Sequence, residues 1–198
     1  MTDENSRNEF LKESFRSIFS IYSEFKEAAS FKVKDIHLSL KPFRPPGAIS
    51  EEEFLKACTR CDQCIKACPQ NAIMKIIKLG SSLHLTPIIN FHQTPCKLCE
   101  DLPCAKSCAA GALIEVESIR DVKIGVARIN KNLCHSWLGQ DCQFCFISCP
   151  LTGEAIIKNE DGKPVINENL CTGCGICEFI CPVRNSAVMI FNLEDKAP

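Results

Sequence analysis

The sequence has no apolar run approaching the roughly 20 residues that span a bilayer, so no membrane-spanning helix is expected. It has no Walker A loop, no G-x-G-x-x-G after a strand-like run and no nucleophile with a recognisable base, which removes nucleotide-dependent and covalent catalysis from the candidate functions. Its four histidines, His37, His84, His92 and His135, show no ligand spacing, and no C-x-x-C is followed by histidine, which excludes a c-type haem. Net charge is also scarce, at −1 over 198 residues, so no nucleic-acid partner is expected. No secretory signal is recognised at the start, which argues against a disulfide scaffold.

What the chain has in abundance is cysteine. Sixteen of them stand in a sequence that is 45% hydrophobic and 24% charged, a balance that fits one large or two small folded domains. They form four tetrads: Cys58, Cys61, Cys64 and Cys68; Cys96, Cys99, Cys104 and Cys108; Cys134, Cys142, Cys145 and Cys149; Cys171, Cys174, Cys177 and Cys181. The first and last have the pattern C-x2-C-x2-C-x3-C-P, the run that holds a [4Fe–4S] cubane in bacterial ferredoxins. The inner two are irregular: four residues separate Cys99 from Cys104, seven separate Cys134 from Cys142, and Ala109 comes after Cys108 where proline is usual. Each still supplies four ligands, so the expected cofactor content is four [4Fe–4S] clusters.

The spacing has a chemical reason. Three thiolates must converge on one small core from a single tight loop, and two-residue gaps allow it. Permissive residues such as Gly173 and Gly175 let the backbone curl and aim N–H groups at sulfur. The third and fourth cysteines, as in Cys64/Cys68 and Cys177/Cys181, are i and i+4 on one helical turn, and Pro69, Pro150 and Pro182 set the exit of the chain. A four-cysteine zinc site is the competing reading, but it uses two separated C-x2-C knuckles and needs neither a third close cysteine nor the C-x3-C-P ending. With sixteen thiolates and four oxidised cores the formal charge falls to roughly −9. Lys56, Arg60, Lys66, Lys75 and Lys78 flank the first tetrad, while Glu178 sits inside the last.

Between tetrads, residues 72–77, 113–116, 155–158 and 187–191 are short apolar or alternating runs that read as strands. Glu160, Asp161 and Gly162 favour a tight turn, so residues 155–167 read as a β-hairpin. Each unit of cysteine loop, helical turn and strand is too small to bury a core alone, so units must pair. The gaps between tetrads, 27, 25 and 21 residues, do not choose which. The matching outer tetrads enclose the irregular inner ones, which points to one domain inserted into another. The expected fold is α+β, with two nested ferredoxin-like dicluster domains: residues 44–90 and 150–198 outside, residues 91–149 inside. Residues 1–43 precede them as an amphipathic helix and linker, in which Leu11, Phe15, Ile18, Tyr22, Phe25 and Ala29 form an apolar stripe.

The stretches RPPGAI from Arg44, ACTRCDQCIKACP around the first tetrad, CKLCEDLPCAKSC from Cys96 and CTGCGICEFICP from Cys171 together resemble the four-cluster ferredoxin-type proteins of the NapG/MauM group. That resemblance implies a crossed assignment in which the outer tetrads share one domain: Cys58, Cys61, Cys64 with Cys181, and Cys171, Cys174, Cys177 with Cys68. The inner pair becomes Cys96, Cys99, Cys104 with Cys149, and Cys134, Cys142, Cys145 with Cys108. Family members typically carry a twin-arginine signal. Here Asn8 stands where the second arginine of S-R-R-x-F-L-K belongs, and charges interrupt residues 14–30 where an apolar stretch belongs, so the expected location is cytoplasmic.

The expected function is electron transfer without catalysis: a subunit relaying single electrons between a catalytic oxidoreductase subunit, of molybdenum or tungsten type by analogy, and another carrier such as a flavoprotein, a ferredoxin or a membrane quinone-linked subunit. The alternatives are a free polyferredoxin and a maturation factor that delivers clusters to an oxidoreductase.

Overall fold

A computed structural model describes residues 41–193, which fall within one compact unit, Lys41–Pro198. The expected N-terminal amphipathic helix lies outside the described residues.

Regular structure is short throughout, because each element is interrupted by a loop that must turn cysteines inward. Helix α1, Glu51–Ala57, begins at Ser50, whose hydroxyl oxygen accepts from the Glu53 amide and whose O–H donates to the Glu53 carboxylate. Three acidic residues fill its first turn and Lys56 its last, matching the helix dipole. Its Phe54 is completely buried. The other α-helices among the described residues are single turns: α2, Gln63–Ala67; α3, Pro103–Lys106; α4, Phe144–Ile147; and α5, Ile176–Phe179. Pro103 opens α3, where a missing N–H costs nothing.

Six strands among the described residues form three antiparallel pairs. β1, Ile73–Lys75, pairs with β2, Pro87–Ile89, in a hairpin with Ile73 opposite Ile89. β4, Ile156–Lys158, pairs with β5, Pro164–Ile166, around the expected turn at residues 160–162. β3, Val126–Ile129, pairs with β6, Val188–Phe191, so the segment before the third tetrad lies against the one after the fourth. The first half repeats this plan in reduced form. Ala48 bridges Leu113, flanked by hydrogen bonds from Ile49 to Ala112 and from Ile114 to Gly47, so the segment before the first tetrad meets the one after the second.

These closures correct the nested expectation. Each half opens on an edge segment, passes through two cysteine loops separated by a hairpin, and returns to its own edge. The halves lie in tandem, roughly residues 48–113 and 126–191, because the first closes on itself before the third tetrad begins. The run at residues 113–116 is reduced to that bridge, while β2 and β3 are strands that the sequence pattern did not mark. A single buried core runs through both halves, from Phe54, Ile73 and Ile89 through Phe91 and Leu98 to Val126, Ile156 and Ile190.

Arg44 pins the start of the described chain. It is buried, donates two hydrogen bonds to Glu51 and one each to Thr86 Oγ1 and the Pro87 carbonyl, and lies over the Phe54 ring at 4.4 Å. One side chain thus joins the edge segment, α1 and β2.

Candidate metal centres

The fold gathers the sixteen cysteines into four groups of four. Cys58, Cys61, Cys64 and Cys108 line one cavity, floored by Phe54, Ile65 and Leu113. Cys68, Cys96, Cys99 and Cys104 line a second, with Ile73, Ile89 and Leu102. Cys149, Cys171, Cys174 and Cys177 line a third, with Leu98, Ile156 and Ile190. The remaining four belong together as well: α4, which carries Cys145, packs on α5, just before Cys181, and burial, then Cys134, Cys142 and Cys181, push the Cys145 thiol up to about 11.

In each group three thiols come from one tetrad and the fourth from the other tetrad of the same half. The crossing is local because α2 packs on α3 and α4 on α5. Cys64 lies within α2 and Cys68 at its end, so one helical turn carries them to different cavities. The crossing itself obeys the ferredoxin rule. The partners differ from those that the family resemblance implied: Cys108 rather than Cys181 joins Cys58, Cys61 and Cys64, and Cys149 rather than Cys68 joins Cys171, Cys174 and Cys177. Likewise Cys68, not Cys149, stands with Cys96, Cys99 and Cys104, and Cys181, not Cys108, stands with Cys134, Cys142 and Cys145.

The donor chemistry fits an iron–sulfur core. Burial first, with neighbouring thiolates adding to it, pushes the thiols of Cys64 and Cys96 up to about 12 and those of Cys104 and Cys174 to about 11. Cys177 is raised well above the ordinary thiol range by burial and then by Cys174, Cys171, Cys145 and Cys149. Several thiolates in an apolar pocket need a polycationic centre to stay ionised. Cys61 is the exposed exception: the Gln63 amide, and after it Thr59, lowers it. Backbone amides also meet sulfur in each half, from Ala72 to Cys68, Leu113 to Cys108, Ala127 to Cys171 and Ala187 to Cys181, at 3.3–3.4 Å. Such donors stabilise negative charge on a cluster. Among the described residues no three Cys, His, Asp or Glu converge as a single ion requires. The thiols instead surround a space, as a cubane needs and a zinc ion with its ~2.3 Å Zn–S bonds does not.

Other sequence candidates have structural roles. His84 accepts the Lys78 amide, and among the described residues no histidine lines the three cavities. Lys56 pairs with Glu52 and Lys75 with Asp62, while Arg60 donates to the carbonyls of Cys58, Ser82 and His84, so much of the basic charge around the first tetrad is already engaged. Glu178, mostly buried and raised by that burial, accepts the Ile190 amide and ties α5 to β6. Sequence reasoning missed Leu98, whose only local sign is its place between two cysteines, and which lines the cavity of another tetrad.

Comparison with known proteins agrees with this chemistry. Models described as "4Fe-4S binding domain" match residues 55–74 and 163–187, the regular outer tetrads. The chain is 36% identical to the ferredoxin-type protein NapG of Escherichia coli over 96% of this chain and 87% of that one. It is 37% identical to the methylamine utilization ferredoxin-type protein MauM of Methylorubrum extorquens, over 78% of this chain and 74% of its relative. It is also 32% identical to the E. coli ferredoxin-type protein NapF over 71% of this chain. With cysteine groups of cubane type and likeness along nearly its whole length, the chain belongs to the NapG/MauM family of ferredoxin-type [4Fe–4S] electron-transfer proteins.

Proposed function

We propose that the protein holds four [4Fe–4S] clusters in a line and relays single electrons between a catalytic oxidoreductase subunit and a second carrier. The observation that carries this is the sorting of all sixteen cysteines into four complete groups. The first site takes Cys58, Cys61, Cys64 and Cys108; the second Cys68, Cys96, Cys99 and Cys104; the third Cys149, Cys171, Cys174 and Cys177; the fourth Cys134, Cys142, Cys145 and Cys181. Neighbouring thiols support the order. Cys64 of the first site feels Cys104 of the second, Cys96 of the second feels Cys174 of the third, and Cys177 of the third feels Cys145 of the fourth. When bound, the clusters supply one-electron redox chemistry. The chain's own part is to keep them apart from water, at fixed separation and within amide hydrogen bonds.

The two ends differ. Around the first site stand Glu52, Glu53, Lys56, Arg60, Asp62 and Lys66, and Cys61 is exposed. Around the fourth, residues 132–148 carry one charged side chain, Asp141, and expose Leu133, Leu138, Phe144 and Ile147, while Lys131 and Lys163 lie over the Trp137 ring and Lys158 lies over the Phe146 ring. A rim of charges of both signs suits a transient carrier, and exposed apolar side chains fringed by lysines suit a stably bound subunit, here the catalytic one. A molybdenum or tungsten enzyme is the partner type this reading favours. Anaerobic purification tests the core claim: about 16 iron and 16 acid-labile sulfide per chain are expected. Stoichiometric zinc with little sulfide would sink it.

A further inference from the structure

The two halves meet at a seam built from the ligand loops themselves. The Cys96 amide donates to the Cys174 carbonyl at 2.9 Å, joining a residue of the second site to one of the third. Two residues beyond Cys96, Leu98 adopts φ 48° and is buried in the wall of the cavity lined by Cys149, Cys171, Cys174 and Cys177. The loop of one site therefore completes the enclosure of the next. Phe91, also from the first half, is buried against Gly175, which has φ 83°; a Cβ at Gly175 would stand 2.1 Å from the Phe91 ring. Phe91 in turn packs on Phe43, with ring centroids 4.8 Å apart. Within the second half, Gly173, at φ 67°, lies so closely on the Gly125 backbone, just before β3, that a Cβ would come within 2.3 Å of it, which seats the same ligand loop.

The approach of Phe91 to Gly175 is closer than a side chain at that glycine would permit, and it occurs where two sites of different halves are adjacent. Hydrogen bonds and packed side chains are the contiguous contacts through which two sites can be coupled. Elsewhere along the proposed line, neighbouring sites share a half and are joined by their own crossing cysteines. Between the second and third sites no cysteine crosses, so contact depends on the seam.

We propose that electrons pass between the halves through this seam, at the Cys96–Cys174 hydrogen bond and the Leu98 wall, and that Phe91 and Gly175 are positioning residues that hold it closed. The inference rests on the four-cluster reading. The step moves one electron: the donor site is oxidised by one, the acceptor site reduced by one, and no bond or proton changes place.

The test uses the full chain, purified and reduced anaerobically, with iron content and electron paramagnetic resonance read together. Cys61→Ala with Cys142→Ala removes the first and fourth sites, leaving about 8 iron per chain and a spin–spin interaction between the second and third. Cys99→Ala with Cys177→Ala leaves the first and fourth sites, also with about 8 iron, and no such interaction. The reverse pattern at that iron content overturns the seam. Wild-type protein with far less than about 16 iron instead defeats the four-cluster reading. Gly175→Ala keeps all sixteen ligands and carries the test if the double variants lose their remaining sites. It should retain iron, lose the interaction between halves and slow electron equilibration after flash reduction, and adding Phe91→Ala should restore part of both by clearing space for the new methyl. An unchanged interaction spectrum in Gly175→Ala at full iron content overturns the proposal.

Discussion

If the groups are tandem, iron content under paired substitutions must show a pattern that a nested arrangement cannot produce. Cys61→Ala and Cys108→Ala each remove one of the four thiols around the same cavity. Alanine cannot ligate, and the remaining half-buried thiol of Cys64, pushed up to about 12 without a core, returns to its protonated form instead of holding partial iron. Each single variant should therefore fall from about 16 to about 12 iron per chain. The two together strike one site, so the double variant should also hold about 12. Cys61→Ala with Cys181→Ala strikes two sites and should hold about 8. The nested assignment, with Cys181 completing the site of Cys58, Cys61 and Cys64, reverses these two doubles. The assay is iron and sulfide per chain on anaerobic protein, with visible absorbance as a check on cluster type. The tandem grouping would be falsified if the Cys61/Cys108 double lost twice the iron of either single while the Cys61/Cys181 double lost no more than one.

Arg44→Met keeps the apolar stem but removes the guanidinium that binds Glu51, Thr86 and Pro87, a loss of about 3–5 kcal/mol for breaking a buried pair. Because cluster release makes unfolding irreversible, the measurement is the rate of bleaching in guanidinium, expected to rise at least about tenfold, and an unchanged rate would refute the role given to Arg44. Electron exchange with a soluble carrier at the charged first site should slow as ionic strength rises, whereas association with the catalytic subunit through the exposed apolar side chains of the fourth site should weaken less. Equal salt sensitivity at both ends would remove the proposed division. Deleting residues 1–30 should leave iron content and cluster spectra intact while weakening assembly with the catalytic subunit; loss of clusters would show instead that this segment supports the cluster-bearing unit.

The chemistry of this protein was legible because cluster ligation is written locally. C-x2-C spacing places thiols on one loop through covalent geometry alone, and the C-x3-C-P ending places the next thiol one helical turn on, so Cys58 to Cys68 and Cys171 to Cys181 declared their cofactor without any fold. The β4–β5 hairpin was equally local, since Glu160, Asp161 and Gly162 carry the turn. Which tetrad completes which site depended on contacts too distant for such signals. The three gaps are of similar length, and the regularity of the outer tetrads pointed to the wrong partners. The tertiary structure decided the matter through edge closure: Ala48 meets Leu113, and Val126–Ile129 meets Val188–Phe191, so each half seals its own pair of cysteine loops. It also put Leu98 into the wall of a neighbouring site and Phe91 against Gly175, because burying one continuous core across both halves requires apolar side chains from one to fill space beside the other. Ligand identity is a property of spacing along the chain, while ligand partnership is a property of which backbone edges pair, and only the folded chain contains the second.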